Sequence, residues 1–349
     1  MDYIKEINKI KKELGYTLII PAHHYVSDDI VSVSDFVGDS YKLAVDCSKS
    51  AAENIVFCGV QFMAESAKVL AIKGQRVFHP NRQAGCPLAD MITSEQMEKS
   101  FQMLCDNFGR EIIPVVYVNS NIEVKGFCGL HNGATCTSSN AGSIIGYYIE
   151  KDYAVFFAPD YNLGINTAIE MGLSESEILK ILRTQSTVYP PMIDDIKLFL
   201  WDGFCAVHKY FKTKDFVYLK QKYPNIKIIV HPECDREIVK NCDLSGSTQY
   251  IYDVIEKAQP GSVWGVGTEC HFVHRMDRQF HAKNIIPLSE AFCEDMQRIT
   301  IKDIYNILSY IKNNDEIALQ KYEVHIEDII SKNAEKALQK MIEIVENHS

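Results

Sequence analysis

The chain has 349 residues, of which 46% are hydrophobic and 23% charged. This composition is typical of a soluble globular protein and argues against a disordered or collagen-like chain. At about 100–200 residues per domain, the length predicts about two or three domains that need no disulfide bonds for stability. The 36 basic and 46 acidic residues give a formal net charge of −10. That charge argues against a nucleic-acid partner, although a local pocket can still bind small anions.

The N-terminal segment is charged and amphipathic, with isoleucine and leucine at helical spacing from Ile4 to Leu14. It has no apolar core flanked by small residues, so it does not match a secretory signal. No run approaches the roughly 18 apolar residues of a membrane span. We therefore expect a cytoplasmic protein without a membrane partner. The 11 cysteines are odd in number, and we expect no disulfide framework.

The same order of predicted strands and helices occurs three times along the chain. Each unit opens with a short apolar run, the pattern of a parallel strand covered on both faces. These runs are residues 18–20, 112–118 and 226–230. A second strand then ends in small hydroxyl-bearing residues that open a helix, and a third apolar strand follows. The hydroxyl clusters are residues 38–40, 138–140 and 246–248. Strands that alternate with helices predict βαβ units and parallel sheets.

The recurrence predicts an α/β fold of three similar domains whose polar strand ends face one central site. We expect domains at 1–105, 106–205 and 206–289, with the C-terminal helices of 290–349 packing on the first domain. The tail from Ile301 is predicted to form two or three helices. The pattern alone leaves open a chain of ordinary α/β domains with capped helices.

One cysteine lies near the end of each unit, at Cys86, Cys205 and Cys293. Three thiolates from three domains suit a metal centre with one open position, and soft sulfur ligands select zinc, Cu(I) or an iron–sulfur cluster. Structural zinc sites usually draw their ligands from a short stretch of sequence. The dispersed spacing therefore fits a cluster with one open iron better. The remaining cysteines are interpreted as small buried hydrophobic residues.

Other potential ligands have less support. Cys270, His271 and His274 resemble a ligand group, but they follow a strand end within a predicted helix, so packing and solvent roles are favoured over metal binding. Cys234 and Cys242 flank another predicted helix and are expected in the core. The phosphate-binding motifs GxGxxG and GxxxxGK[ST] do not occur.

A series of segments resembles, in the same order, the motifs of the quinolinate synthase family, enzymes of NAD biosynthesis. Together these segments cover roughly residues 17–300. They are AHHY (22–25), DFVGDS (35–40), IVFCGVQFMAESAKVL (55–70), AGCPLAD (84–90), YVNS (117–120), CTSSNA (136–141), FFAPDYNLG (156–164), GFCAVH (203–208), VHPEC (230–234), SGST (245–248), GTE (267–269) and FCEDM (292–296).

The resemblance implies three αβα-sandwich domains related by pseudo-threefold symmetry around a central active site. It implies a [4Fe–4S] cluster held by Cys86, Cys205 and Cys293, with the fourth iron open. It further implies condensation of iminoaspartate with dihydroxyacetone phosphate to quinolinate, with loss of phosphate and two waters. An L-aspartate oxidase or dehydrogenase would supply the iminoaspartate.

Residue chemistry within these motifs suggests individual roles. Glu233 and His231 are predicted to form a general acid–base pair, with Tyr25 and His23 moving protons at the carbonyl end. Hydroxyl groups and helix N-termini can bind carboxylates and phosphate. The predicted substrate-binding residues are Ser40, Met63, Tyr117, Asn119, Ser138, Ser139, His208, Ser247 and Thr248.

Two departures from the family pattern stand out. Residues 121–133 are rich in glycine and cysteine, which is interpreted as a reshaped loop near the pocket. Cys293 lies in CEDM where CPNM is expected, so Cys270 is its nearest rival as the third cluster ligand.

Two other functions remain open: an iron–sulfur hydro-lyase for another small dicarboxylate, and a non-catalytic iron–sulfur sensor. The acid–base residues disfavour the sensor.

Overall fold

The computed structural model describes residues 1–183 and 195–347. Within them, every pair of strands in a sheet runs parallel, and helices separate most of the strands along the chain. The predicted α/β class is therefore confirmed. No helix in these two ranges has the length and apolar character needed to cross a bilayer.

The N-terminal quarter of the chain forms the first unit, in which a three-stranded and a two-stranded sheet lie side by side. Its strands are β1 (Leu18–Ile19), β2 (Pro21–His23), β3 (Phe36–Gly38), β4 (Asn54–Val56) and β5 (Arg76–Phe78). Its helices are α1 (Tyr3–Leu14), α2 (Asp28–Val33), α3 (Ser40–Lys49) and α4 (Gln61–Leu70). β1 and β2 form one strand that is interrupted at Ile20. The backbone N–H of Ile20 donates a hydrogen bond to the carboxylate of Asp35 at 2.7 Å. An isolated bridge from Ala22 to Cys58 keeps β2 alongside the extension of β4.

The second sheet has the spatial order β7-β6-β8-β10-β9. Its strands are β6 (Ile112–Tyr117), β7 (Ala134–Cys136), β8 (Ala154–Ala158), β9 (Ile178–Ile181) and β10 (Leu198–Trp201). Its helices are α5 (Ser94–Asn107), α6 (Ile122–Leu130), α7 (Ala141–Ile149) and α8 (Tyr161–Glu170). Every residue of β6, β8 and β10 is buried. Both faces of the sheet are covered, which explains the continuous apolar runs in the sequence.

The third sheet has the order β12-β11-β13-β14. Its strands are β11 (Lys227–Val230), β12 (Leu244–Ser245), β13 (Val263–Gly267) and β14 (Asn284–Pro287). Its helices are α9 (Thr213–Lys222), α10 (Arg236–Asn241), α11 (Thr248–Lys257) and α12 (Cys270–Gln279). In the second and third sheets the earliest strand lies between the second and the third. The bridge from β2 to the extension of β4 gives the first unit the same order, so equivalent strand ends lie at the same edge in all three units.

The C-terminal segment is helical, as the sequence predicts. Its helices are α13 (Glu294–Gln297), α14 (Ile301–Lys312), α15 (Glu316–Leu319) and α16 (Asp328–Asn347). α14 packs on α1, whereas α16 lies against α6, β7 and α4. Short 3₁₀ turns complete the described elements, at Gly15–Thr17, Ala89–Met91, Glu175–Glu177 and His208–Tyr210.

Most of residues 121–133 form the helix α6, Ile122–Leu130, and not the reshaped loop that their glycine content predicts. The glycines serve close packing instead. A Cβ atom on Gly129 would lie 1.9 Å from the carbonyl oxygen of Asn333 in α16, and one on Gly133 would lie 2.0 Å from that of Pro114. Glycine lowers helix propensity, so the requirement for close packing obscured the helical signal.

Candidate functional site

One cavity of about 550 Å³ lies where the carboxyl ends of the strands converge. Loops that follow β2, β5, β6, β10 and β11 all contribute to its wall, together with the segment that leads into α13. The predicted catalytic and cysteine residues line it: His23, Tyr25, Cys86, Cys205, His231, Glu233 and Cys293. So do most of the predicted substrate-binding residues: Ser40, Met63, Tyr117, Asn119, Ser138, His208 and Thr248.

Two predicted residues lie outside the cavity wall. Ser139 is exposed and its hydroxyl bonds Thr137 at 2.8 Å. Ser247 is buried and caps α11, accepting a bond from the N–H of Tyr250 at 3.3 Å. A hydroxyl residue next to a strand end can either line a site or cap the following helix. The sequence pattern does not distinguish these two roles.

A buried carboxylate, Glu233, lies at the centre of the polar groups and is only 2% exposed. Its Oε2 lies 2.6 Å from Nδ1 of His208 and 3.8 Å from Nδ1 of His231. The first distance is a close contact rather than a well-aligned hydrogen bond, because Nδ1 of His208 has no hydrogen-bond partner in the described residues. Sequence reasoning paired Glu233 with His231, whereas the structure makes His208 the nearer imidazole.

Glu233 is held as a carboxylate by its neighbours. Burial alone raises the pKa of this group, but the charge and hydrogen bonding of the neighbouring His208 imidazole outweigh burial, and the pKa is lowered. Oε1 of Glu233 is buried without a hydrogen-bond partner among the described residues. That oxygen is therefore available to accept a proton or hydrogen bond from a bound molecule.

His231 has a defined role in this cluster. The backbone N–H of Glu233 donates to its Nδ1 at 3.3 Å, so the neutral ring carries its proton on Nε2, which lies 3.2 Å from the hydroxyl oxygen of Ser138. Burial, reinforced by the stacked ring of His208, lowers the pKa of His231 to about 3. His231 is therefore a neutral hydrogen-bond donor towards the cavity rather than a base.

Tyr25 belongs to a chain of hydrogen bonds that reaches His208, the imidazole beside this carboxylate. Its hydroxyl lies 3.0 Å from Oγ1 of Thr248 and 2.7 Å from Oγ1 of Thr268. Thr268 in turn lies 3.0 Å from Nε2 of His208, whose other nitrogen faces Glu233. Burial raises the pKa of Tyr25 well above its usual range, so it remains a phenol that can donate.

Thr268 was missed as a site residue, although it lies in the GTE segment at the end of β13. Asp39, which caps α3 and lines the cavity, was missed as well. Position at a strand end was the available signal for both, but their bonding partners come from distant parts of the chain.

The three repeat-end cysteines all face this cavity. Burial raises the pKa of Cys86 to about 12, of Cys293 to about 11, and of Cys205 well above its usual range. Ligand atoms of Cys205, His208 and Glu233 lie within 4.8 Å of one another, so this part of the wall could hold a metal. By contrast, the sulfur of Cys270 faces backbone atoms of residues 289–291, outside the cavity.

His79, next to the site on the loop after β5, makes folding sensitive to acid. It is buried with Nε2 2.7 Å from the carbonyl oxygen of Gly59, and burial lowers its pKa from 6.5 to about 4. In the unfolded chain this imidazole is protonated as the pH falls below about 6.5, whereas in the folded chain it stays neutral down to about pH 4. The contribution of His79 to the free energy of unfolding is therefore complete above pH 6.5, and it is lost as the pH falls towards 4.

We expect His79→Gln to reduce the loss of unfolding free energy between pH 7 and pH 5 by about 2 kcal/mol. Urea titrations of both proteins at the two pH values measure this difference. His281→Gln, at an exposed position, is the matched control and should leave the pH dependence unchanged. An identical pH dependence in the parent and His79→Gln would contradict the prediction.

A buried carboxylate, two imidazoles and a phenol around one cavity in an α/β fold are typical of an enzyme of acid–base chemistry. Comparison with known proteins gives the family. The family profile of the quinolinate synthetase A protein (NadA) matches residues 5–343. Quinolinate synthases of Bacillus cytotoxicus and Bacillus anthracis are each 39% identical over 348 residues, which is 99% of this chain and 94% of theirs. The chain belongs to the quinolinate synthetase A family.

Proposed function

We propose that this chain synthesises quinolinate from iminoaspartate and dihydroxyacetone phosphate, with loss of phosphate and two waters. The observation that carries this proposal, beyond family membership, is Glu233: a buried carboxylate with one oxygen against His208 and the other without a partner in the described residues. A base of this kind suits the proton removals that the condensation and the dehydrations require. An enzyme that oxidises L-aspartate must supply the unstable imine.

The cavity cysteines fit a [4Fe–4S] cluster. Cys86, Cys205 and Cys293 offer three soft sulfur donors from distant segments to one cavity, and sulfur donors favour iron–sulfur ligation. When bound, the open iron supplies a Lewis acid for a substrate oxygen or nitrogen. The common strand order of the three sheets supports three similar domains with a pseudo-threefold arrangement around this site. The boundaries near residues 105, 205 and 289 remain a prediction.

Anionic substrates would bind here without cationic side chains, because no lysine or arginine lines the cavity in the described residues. Helix N-termini offer the alternative. α11 begins at Thr248 on the cavity wall and is capped by the neutral Ser247, whereas α3 is capped by the carboxyl group of Asp39. The neutral cap leaves the positive end of the α11 dipole available to a carboxylate or phosphate.

Proton movement follows from the hydrogen bonds. Oε1 of Glu233 accepts a substrate proton, and His208 stabilises the ionised carboxylate through Oε2. His231 donates from Nε2 to a substrate oxygen in the direction of Ser138. The Tyr25 phenol, linked to His208 through Thr268, donates to a departing oxygen.

The test is anaerobic purification followed by a quinolinate assay, with iron and sulfide measured on the same sample. We expect quinolinate and about four irons per chain. A loaded cluster that makes no quinolinate but dehydrates another dicarboxylate would replace this proposal with a hydro-lyase. A loaded cluster without either activity would favour a sensor.

The cysteine assignment gives a separate prediction. Cys86→Ala, Cys205→Ala and Cys293→Ala should each reduce bound iron at least about tenfold, since each removes one of three protein ligands. Cys270→Ala should retain the parent iron content because its sulfur faces away from the cavity. Iron loss in Cys270→Ala together with retention in Cys293→Ala would reverse the assignment of these two residues.

A further inference from the structure

A second group of ligand atoms lies beside the cavity, on α12 and the loop that follows β14. The donor atoms of Cys270, His274 and Glu290 lie within 4.8 Å of one another. Cys270 and His274 are four residues apart on α12 and so share one helix face. Glu290 reaches the same point from the loop, where its Oε2 lies 3.2 Å from Nε2 of His274.

Backbone groups of the loop that follows β14 fix the position of the Cys270 sulfur. Its sulfur accepts a hydrogen bond from the N–H of Ala291 at 3.1 Å, and its S–H donates to the carbonyl oxygen of Ser289 at 3.3 Å. A backbone N–H donated to sulfur stabilises the negative charge of a bound thiolate and orients the ligand. Backbone groups of the loop thus hold the sulfur in place. His274 and Glu290 are partly exposed, so a metal ion and water can reach the site from solvent.

We propose that Cys270, His274 and Glu290 form a binding site for Zn²⁺, separate from the cavity cysteines. One sulfur, one nitrogen and one oxygen donor match the ligands that zinc accepts, and water completes a tetrahedral set. Mg²⁺ and Ca²⁺ prefer oxygen donors alone, and Cu(I) prefers sulfur. On binding, the Cys270 thiol releases its proton to solvent and forms the zinc–sulfur bond, and no change of oxidation state is involved.

Zinc at this position would connect α12 to the segment that carries Cys293. Glu290 precedes Cys293 by three residues, and the N–H of Cys293 reaches the carboxylate of Glu269 at the start of α12 at 3.4 Å. A zinc ion bound by Glu290 and by the two ligands on α12 would add a second link between this segment and the helix. Zinc should therefore slow hydrogen exchange of the backbone N–H groups of residues 288–293.

The test measures Zn²⁺ binding to the anaerobically purified holoenzyme by competition with a chromogenic chelator. We expect one tightly bound zinc per chain, and an affinity at least about 100-fold lower in Cys270→Ser and in His274→Gln. Loss of even an outer-shell partner costs about 10–100-fold. Cys242→Ser, at a half-buried thiol on another helix end, is the control and should bind zinc like the parent.

The cavity group Cys205, His208 and Glu233 is a competing zinc site, so Co²⁺ is used to separate the two. The near-ultraviolet thiolate-to-cobalt band should persist in Cys205→Ala and disappear in Cys270→Ser. His274→Gln changes a partly exposed side chain, so it also reports on the site if Cys270→Ser does not fold. Unchanged zinc affinity in His274→Gln, or a cobalt band that follows Cys205, overturns the proposal. Neither result bears on quinolinate synthesis.

Discussion

Replacing Glu233 by glutamine is expected to lower kcat for quinolinate formation about 10³-fold, within the range that a positioned general base contributes. Glutamine keeps the size of the side chain but cannot accept a proton at Oε1, the atom without a partner in the described residues. The measurement is the initial rate of quinolinate formation in the anaerobic protein, with iron content determined alongside. Equal iron in both proteins assigns the loss to the side chain and not to the cofactor.

Glu237→Gln is the matched control, because Glu237 is an exposed glutamate four residues further on, in α10. It should retain the parent rate. The pH profile separates a base from a structural carboxylate. Because the neighbouring His208 imidazole lowers the pKa of Glu233 below its usual 4.5, the carboxylate stays charged above that pH. Its contribution to the rate should therefore be constant from pH 5 to 8. Parent-like turnover by Glu233→Gln would remove Glu233 as the base.

Sequence reasoning located the site because strand ends are marked locally. A short apolar run followed by polar residues indicates a buried parallel strand and the edge to which it leads. His23, Asn119 and His231 follow such runs, and all three line the cavity. The shared strand order of the sheets then brings residues from distant segments to one place.

The partners of these residues could not be read from the sequence. His208 lies closer to Glu233 than His231 does, although His231 is only two residues from Glu233 along the chain. Thr268 connects Tyr25 to His208 across the cavity. Such bonds depend on how separate sheets meet, and local periodicity contains no information about that contact.

The helix α6 shows the opposite case, in which tertiary packing overrides local propensity. Its glycines suggest a loop because glycine disfavours helices by up to about 1 kcal/mol per residue relative to alanine. In the structure they form the surface on which α16 packs. A Cβ atom on Gly126 would meet Ile330 at 3.4 Å, and one on Gly129 would overlap the backbone of Asn333.

Gly129→Ala is therefore expected to lower the free energy of unfolding by about 3 kcal/mol, the upper end of the usual cost of overpacking. The new methyl group would lie 1.9 Å from the carbonyl oxygen of Asn333 and 3.1 Å from the backbone nitrogen of Ala337. Both atoms belong to the main chain of α16, so no side-chain rotation relieves the overlap. Urea unfolding, with the midpoint and the slope both recorded, measures the change.

Gly142→Ala in α7 is the matched control. Its Cβ would have Thr167 as its nearest neighbour at 3.7 Å, an ordinary contact. The gain in helix propensity should then make this variant up to about 1 kcal/mol more stable. Equal stability of the two alanine variants would show that α16 can move away from α6 at little cost.

The packing around α6 explains why we expect that movement to be costly. Phe127 of α6 contacts Phe101 of α5, with ring centroids 5.5 Å apart, so α6 is confined between α5 and α16. α16 is held in turn against β7, where the hydroxyl of Thr135 lies 3.3 Å from the carbonyl oxygen of Ala337. Neither helix can move away without opening a well-packed interface. The overlap of an alanine methyl group at position 129 with α16 is therefore expected to lower the free energy of unfolding.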